Sequence, residues 1–213
     1  MSLVENHIIS TSLLNTARAS FSRTAFAQVD QVPSSLLSPQ LSMVPGLSAG
    51  ILAIPGFLGI TGSAPSVPAF GRQDVYTVSD DVAYTKGKHA FKFGTLMNRY
   101  EVGLQQNMAF NGRLNFSNLT NFIVGIPSLF EYQAAGGDQN RDFVYDTFGF
   151  YAQDDYRATS RLTFNMGLRY EFMTQPIEKY GKQSAFRDWA TDQNVTLGPV
   201  MRNRTKLNFS PRV

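Results

Sequence analysis

Charged residues make up 16% of the 213 positions, against ~25% in a typical soluble domain, while 17 Phe and 9 Tyr help lift the aromatic share to 13%. The net charge of +3 is small and spread along the chain, so it does not argue for nucleic acid, and the absence of Cys excludes disulfides and thiolate metal sites. The length suits one good-sized domain or part of a larger one.

The opening residues, MSLVENHIISTS, have neither a basic n-region nor an apolar h-region and do not form a signal peptide. From His7 to Arg23 the pattern predicts a turn near Ser10–Ser12 and a strand after it. Leu13, Ala17, Ala19 and Phe21 share one face, and Leu14, Thr16, Arg18, Ser20 and Ser22 share the other. Gln31 to Gly71 contains no charged residue and is punctuated by Pro33, Pro39, Pro45, Pro55, Pro65, Pro68 and several glycines. Its inner part, LSMVPGLSAGILAIPGFLGI, is as long as a membrane-spanning helix, but Pro45 and Pro55 would each break the hydrogen bonding, so a long loop is expected.

Gln73 to Lys86 reads as a strand with Tyr76, Val78, Val82 and Tyr84 on one face, interrupted by Asp80; Gly87-Lys88 makes the turn. The next strand runs from His89 to about Arg99, with Phe91, Phe93, Thr95 and Met97 opposite Lys92, Gly94 and Asn98. Phe110, Gly112, Leu114 and Phe116 predict a further strand. Asn118 to Pro127 predicts a short helical turn, capped by Asn118 and stopped by Gly125 and Pro127. Ser128 to Ala135 reads as another strand, leading to the tip Gly136-Gly137-Asp138-Gln139-Asn140.

The most regular stretch is Asp146 to Phe172, two long strands around a turn centred near Thr159. Phe148, Phe150, Ala152 and Tyr156 alternate with Thr147, Gly149, Gln153, Asp155 and Arg157, with Asp154 the charge on the apolar face. Leu162, Phe164, Met166, Leu168, Tyr170 and Phe172 alternate with Thr163, Asn165, Gly167, Arg169 and Glu171. That centre places Phe150 opposite Leu168 and Tyr151 over Gly167, a ring covering a glycine. Soluble strands average ~5–6 residues and bilayer-crossing strands ~9–11, and both strands here are of the longer kind. A polar loop follows to about Arg202, and LNFSPRV reads as part of one more strand.

Short joints near Ser10, Gly87, Asn118–Pro127 and Arg157–Arg161 alternate with long connections at residues 31–71 and 173–203. The expected fold is all-β: an antiparallel up-and-down meander of about nine or ten strands, forming part of a transmembrane β-barrel over residues 1–213. The two long connections are expected to be extracellular and the short joints periplasmic.

The segments HIISTSLLNTARASFSR, GKHAFKFG, LTNFIVGIP, FGFYAQDDYRATSRLTFNMGLRYE and NFSPRV, in this order, resemble the barrel of Oar-like TonB-dependent outer-membrane receptors, abundant in Acidobacteria and relatives. The YAQDDYR…LTFNMGLRYE block is the most specific of them. The resemblance implies a barrel-domain fragment of a transporter that moves a bulky substrate across the outer membrane with energy delivered through TonB. It implies outer-membrane lipid as partner, and contact with the TonB complex through plug and N-terminal parts expected outside this chain, along with a signal peptide and a closing strand.

No residue is identified as catalytic, metal-ligating or cofactor-binding, and no GxSxG, HExxH, Walker or dinucleotide motif occurs; a non-enzyme without cofactor is expected. His7 and His89 are far apart in sequence and each begins a strand. The neighbours in Asp80-Asp81 and Asp154-Asp155 face opposite sides of a strand and do not converge. Asp80 and Asp154 are expected near a membrane edge or in a bulge. Gly136-Gly137-Asp138 is too short for a calcium or phosphate loop, and the sequons at Asn118, Asn194 and Asn203 carry no meaning in a bacterial envelope protein. Ligand contacts would come from the long loops or from the polar face (Arg169, Glu171, Gln153), with the individual residues unknown. The alternatives are a soluble or surface-attached β-sheet adhesin, which would need no detergent, and an enzymatic barrel, which would need a converging nucleophile–base or metal set.

Overall fold

The computed structural model describes residues 1–29, 38–57, 60–61, 67–106, 108–133, 137–203 and 205–212. Its elements in chain order are β1 (Ser2–Ser10), β2 (Leu13–Gln28), β3 (Ile51–Ala53), β4 (Ile60–Thr61), β5 (Ala69–Lys86), β6 (His89–Gln106), β7 (Arg113–Asn115), α1 (Leu119–Ile123), β8 (Leu129–Glu131), β9 (Asn140–Arg157), β10 (Thr163–Met173), β11 (Ile177–Glu178), β12 (Ser184–Ala185), β13 (Thr196–Leu197) and β14 (Phe209–Arg212). A 3-10 turn spans Pro39–Leu41. They divide into two compact units, one of Met1–Thr24, Gln73–Val102 and Arg141–Val213, the other of Ala25–Arg72 and Gly103–Asn140.

The first unit carries an antiparallel meander in the order β1-β2-β5-β6-β9-β10-β14, with β11 added on β9. Two residues, Thr11 and Ser12, join β1 to β2; Gly87-Lys88 joins β5 to β6, with Gly87 in the left-handed region at φ 61°; residues 158–162 join β9 to β10. The other links of the meander, β2 to β5, β6 to β9 and β10 to β14, are all long. The alternation of short and long connections is therefore real.

Two expectations about the meander change. Residues 110–116 and 128–135 do not add strands to it. Only Arg113–Asn115 and Leu129–Glu131 are extended, because Ala109 and Gly112 take positive φ of 51° and 87° and Pro127 precedes β8; residues 134–135 lie outside the described ones. The helical turn forms as read, with the Asn118 side chain accepting from the Asn121 amide at 2.8 Å and Gly125 at φ 72°. It belongs to the long connection between β6 and β9, however, and is not one of the short turns. Among the described residues the sheet accordingly has eight strands, against the nine or ten counted from sequence.

The second correction is register. Thr163 pairs with Arg157 and Met173 with Thr147, without a shift between them. Phe150 faces Tyr170 rather than Leu168, and Tyr151 faces Arg169 rather than Gly167. The displacement is two residues, so every side chain keeps its expected face.

The second unit holds a four-stranded sheet, β4-β3-β7-β8, in which β3 and β7 are parallel. Part of the expected loop at Gln31–Gly71 is thus ordered by β3, β4 and the start of β5. Pro33, Gly59, Gly62 and Pro65 in it, and Gly136 in the later tip, lie outside the described residues. Among the described residues no helix is long and apolar enough to cross a membrane. The buried apolar side chains Ala49, Ile54, Val67, Ala69, Ala109 and Phe116 all belong to this unit. Among the described residues, the part of the larger sheet that lies in the first unit buries no apolar side chain.

Candidate functional site

The two faces of the larger sheet are the functional surfaces, and strand alternation assigns every residue to one of them. On the apolar face, Phe150, Phe164, Met166 and Leu168 are 42–47% exposed. Among the described residues of this unit, no second layer covers them. A soluble sheet would leave this row in water, at ~25 cal/mol for every Å² of apolar surface not buried.

Aromatic rings mark two levels on this face. Near the short turns, His89 stacks on Tyr156 at 4.5 Å and on Phe91 at 5.2 Å; Tyr84 lies 6.3 Å from Phe91, and Tyr156 lies 6.5 Å from Phe164. Toward the long connections, Phe148 stacks on Phe172 at 4.8 Å, Tyr170 meets Phe209 at 4.6 Å, and Phe21 meets Tyr76 at 5.0 Å. In β5, β9 and β10 the same spacing separates the levels: Tyr76 to Tyr84, Phe148 to Tyr156, Phe164 to Phe172. Eight residues span ~27 Å along a strand, or ~20 Å of depth at a tilt of ~40°, close to the ~25 Å apolar band that outer-membrane barrels frame with aromatic girdles. Just past the second level come charges. Arg23 forks onto Asp74 at 2.6 and 2.8 Å, and Arg99 lies 3.7 Å from Asp146.

The polar face carries a hydrogen-bonded ladder. Arg18 pairs with Asp81, and the Tyr151 hydroxyl donates to Asp81 Oδ1 at 2.8 Å. Tyr151 lies on β9 and Asp81 on β5, so the ring crosses the intervening β6, and it does so over Gly94, where a Cβ would strike both the ring and the carboxylate. The expected covering of a glycine by this tyrosine is real, but the glycine is Gly94, not Gly167. A second rung runs parallel: Thr77 donates to Asn98 at 2.7 Å and Asn98 to Thr147 at 3.1 Å.

An alternating sheet with an uncovered apolar band, aromatic rows at both margins and a cross-braced polar face has the anatomy of a barrel wall. The family model of the outer membrane beta barrel domain matches residues 1–213. The chain belongs to that family. No curated protein and no solved structure matches it. As an outer membrane beta-barrel domain it resides in the bacterial outer membrane, with the apolar face toward lipid and the polar face toward the lumen.

The residues singled out from sequence fall into place on these faces. Asp80 accepts from Asn15 Nδ2 at 2.6 Å on the lipid side while Asp81 serves the lumen ladder, so the neighbouring carboxylates do diverge. Asp80 sits midway between Tyr76 and Tyr84, not at a membrane edge as expected; its polarity in the band is met by Asn15. Asp154 does lie near an edge, beside the turn-side aromatics, in regular register rather than a bulge. Its Oδ2 is 2.6 Å from His89 Nδ1, a pairing not visible from two residues 65 apart in sequence. His7 faces Asn15 across the β1–β2 pair. Asp155 accepts from Gln153 at 3.1 Å, Arg169 pairs with Glu171, and Asp138 accepts from the Asn140 amide at 2.9 Å. Beside Glu171, the residues Asn98, Thr147, Asn203, Thr205 and Asn208 line a groove of 480 Å³ on the lumen side.

Sequence reasoning missed Glu178. It is 2% exposed in the connection after β10, and its carboxylate accepts from the amides of Asp142 at 3.1 Å, Tyr180 at 3.0 Å and Lys182 at 2.6 Å. Burial alone would raise its pKa, but these three donors and the charge of Lys182 outweigh it, and the net shift is downward. A lowered folded-state pKa means the carboxylate contributes fully above its unfolded pKa and loses that contribution as pH falls through the folded value. Glu178→Gln is expected to loosen this connection by about 1–3 kcal/mol at neutral pH. Hydrogen exchange at the amides of Asp142, Tyr180 and Lys182 measures it, and wild-type protection should fall in acid while the variant's stays flat.

Proposed function

We propose that the chain forms barrel wall in an Oar-like TonB-dependent receptor that, in its full-length context, carries a bulky substrate across the outer membrane with energy delivered through TonB. The observation that carries this reading is strand length. β5, β6 and β9 are each 18 residues long, nearly twice the ~9–11 that cross a bilayer, and all the long connections leave the same end of the meander. A wall that rises past the membrane and bears elaborate connections suits capture of a large ligand outside the cell. The block FGFYAQDDYRATSRLTFNMGLRYE, most similar to these receptors, forms the β9–β10 hairpin. On this reading the long connections are extracellular, the short turns periplasmic, and TonB acts through a plug held in the lumen. No catalysis, cofactor or nucleic-acid partner is assigned. The soluble adhesin alternative finds no support in a sheet whose apolar band is uncovered.

The test uses the complete receptor in detergent micelles, where both faces are accessible, with the purified periplasmic domain of TonB. Cross-links between the two are expected to increase when ligand-containing growth medium is added. A complete protein that forms a passive ion-conducting pore and never cross-links to TonB would overturn the reading.

A further inference from the structure

The charge that looks scattered in sequence is gathered by the fold. Lys86, Lys88, Arg157 and Arg161, all exposed, stand at two adjacent short turns. The Arg157 amide donates to the Lys88 carbonyl at 2.8 Å and Lys88 Nζ to the Ala158 carbonyl at 3.0 Å, so the turns are bound together; Lys86, Lys88 and Arg161 gather at them, with Arg157 at the inner rim, on the polar face of β9. Among the described residues, none of the four has a carboxylate within ion-pair distance. Asp154 is engaged by His89 and Asp155 by Gln153, and no acidic residue occurs in 82–100 or 156–170. The other end of the same wall differs: there Arg23 and Arg99 are matched by Asp74 and Asp146. The patch also adjoins the aromatic row of Tyr84, His89, Tyr156 and Phe164, which sets it at headgroup depth.

We propose that this turn cluster binds the phosphodiester headgroup of an anionic phospholipid in the periplasmic leaflet. The Arg161 guanidinium supplies forked donors and the lysines point charges, Arg157 adds positive potential from the inner rim, and the acyl chains lie against Tyr156 and Phe164. The inference rests on the periplasmic placement of the short turns. That placement selects phospholipid over the phosphates of lipid A, which occupy the opposite leaflet.

Native mass spectrometry of the complete receptor released from mixed micelles reads the bound lipid. Phosphatidylglycerol is expected to be retained about tenfold over phosphatidylcholine, and Lys86→Gln/Lys88→Gln/Arg157→Gln/Arg161→Gln should remove that preference. A control neutralising Lys179, Arg187, Arg202 and Lys206 in the long connection should keep it. Should the fourfold variant not fold, Lys86→Gln/Arg161→Gln, which touches neither inter-turn hydrogen bond, is expected to lose a good part of the preference, and Arg157→Lys/Arg161→Lys to retain it. Equal retention of the two phospholipids, or equal loss from turn and control variants, overturns the proposal. Retention of lipid A in preference to phosphatidylglycerol also overturns it, by placing the turns in the outer leaflet. None of these outcomes bears on TonB cross-linking, so the two readings fail separately.

Discussion

Leu168→Arg is expected to cut folding into lipid vesicles sharply, whereas Asn165→Arg, three residues away on the same strand, should be close to neutral. Leu168 lies on the uncovered face of β10, midway between Phe164 and Phe172, opposite Ala152. An arginine pointing into lipid near the midplane costs ~2–4 kcal/mol. Asn165 faces the lumen opposite Asp155, where the new guanidinium stays hydrated and has a carboxylate across the pair. Met166, the more obvious choice from sequence, is a weaker test because it faces Asp154, which would partly compensate the charge. Heat-modifiable mobility on gels measures the folded fraction. A drop for both variants, or for neither, would contradict the assignment of faces.

Gly94→Val is the second large expected loss. The lumen ladder holds only because β6 offers a bare backbone under the Tyr151 ring. A valine side chain there must displace both the ring and the Asp81 carboxylate, at ~1–3 kcal/mol for overpacking and ~1.5–3 kcal/mol for the lost charge-assisted hydrogen bond. The sum is not simply additive, because one movement of the ring accounts for both. The control is Gly94→Val combined with Tyr151→Ala. That pair should cost clearly less than the two single changes added together, since the introduced isopropyl group then fills space the ring has left. Urea unfolding of vesicle-embedded protein gives the three values, and strict additivity would show that the ring does not rest on Gly94.

The faces were legible from sequence because period-two alternation depends on nothing outside the strand. Phe148 to Tyr156 and Phe164 to Phe172 fall where alternation puts them, and a two-residue slip in register leaves that assignment intact. The hairpin register itself is not legible because the loop of residues 158–162 contains no Gly or Pro to fix its centre. Short turns with a clear signal, such as Gly87-Lys88, were located to the residue. Residues 110–116 misled because alternation over a few positions is also satisfied by a short strand, and the positive φ at Ala109 has no sequence mark. Pairings across the sheet were out of reach from one strand at a time. His89 with Asp154, Arg18 with Asp81 and Tyr151 over Gly94 join residues far apart in the chain, and each depends on which strands become neighbours. Glu178 looked like any loop carboxylate until the amides of β9 and of residues 180–182 closed on it.

The most direct test of the account is which face of β10 meets lipid. The chain has no cysteine, so a single one at position 168 or at position 169 carries a fluorophore without ambiguity. The two sites are neighbours at nearly the same depth and point to opposite faces. With brominated acyl chains as quencher, the label at 168 is expected to be strongly quenched and the label at 169 to stay bright. Equal quenching at both sites, or none at either, would contradict a lipid-facing apolar band and the barrel wall built on it.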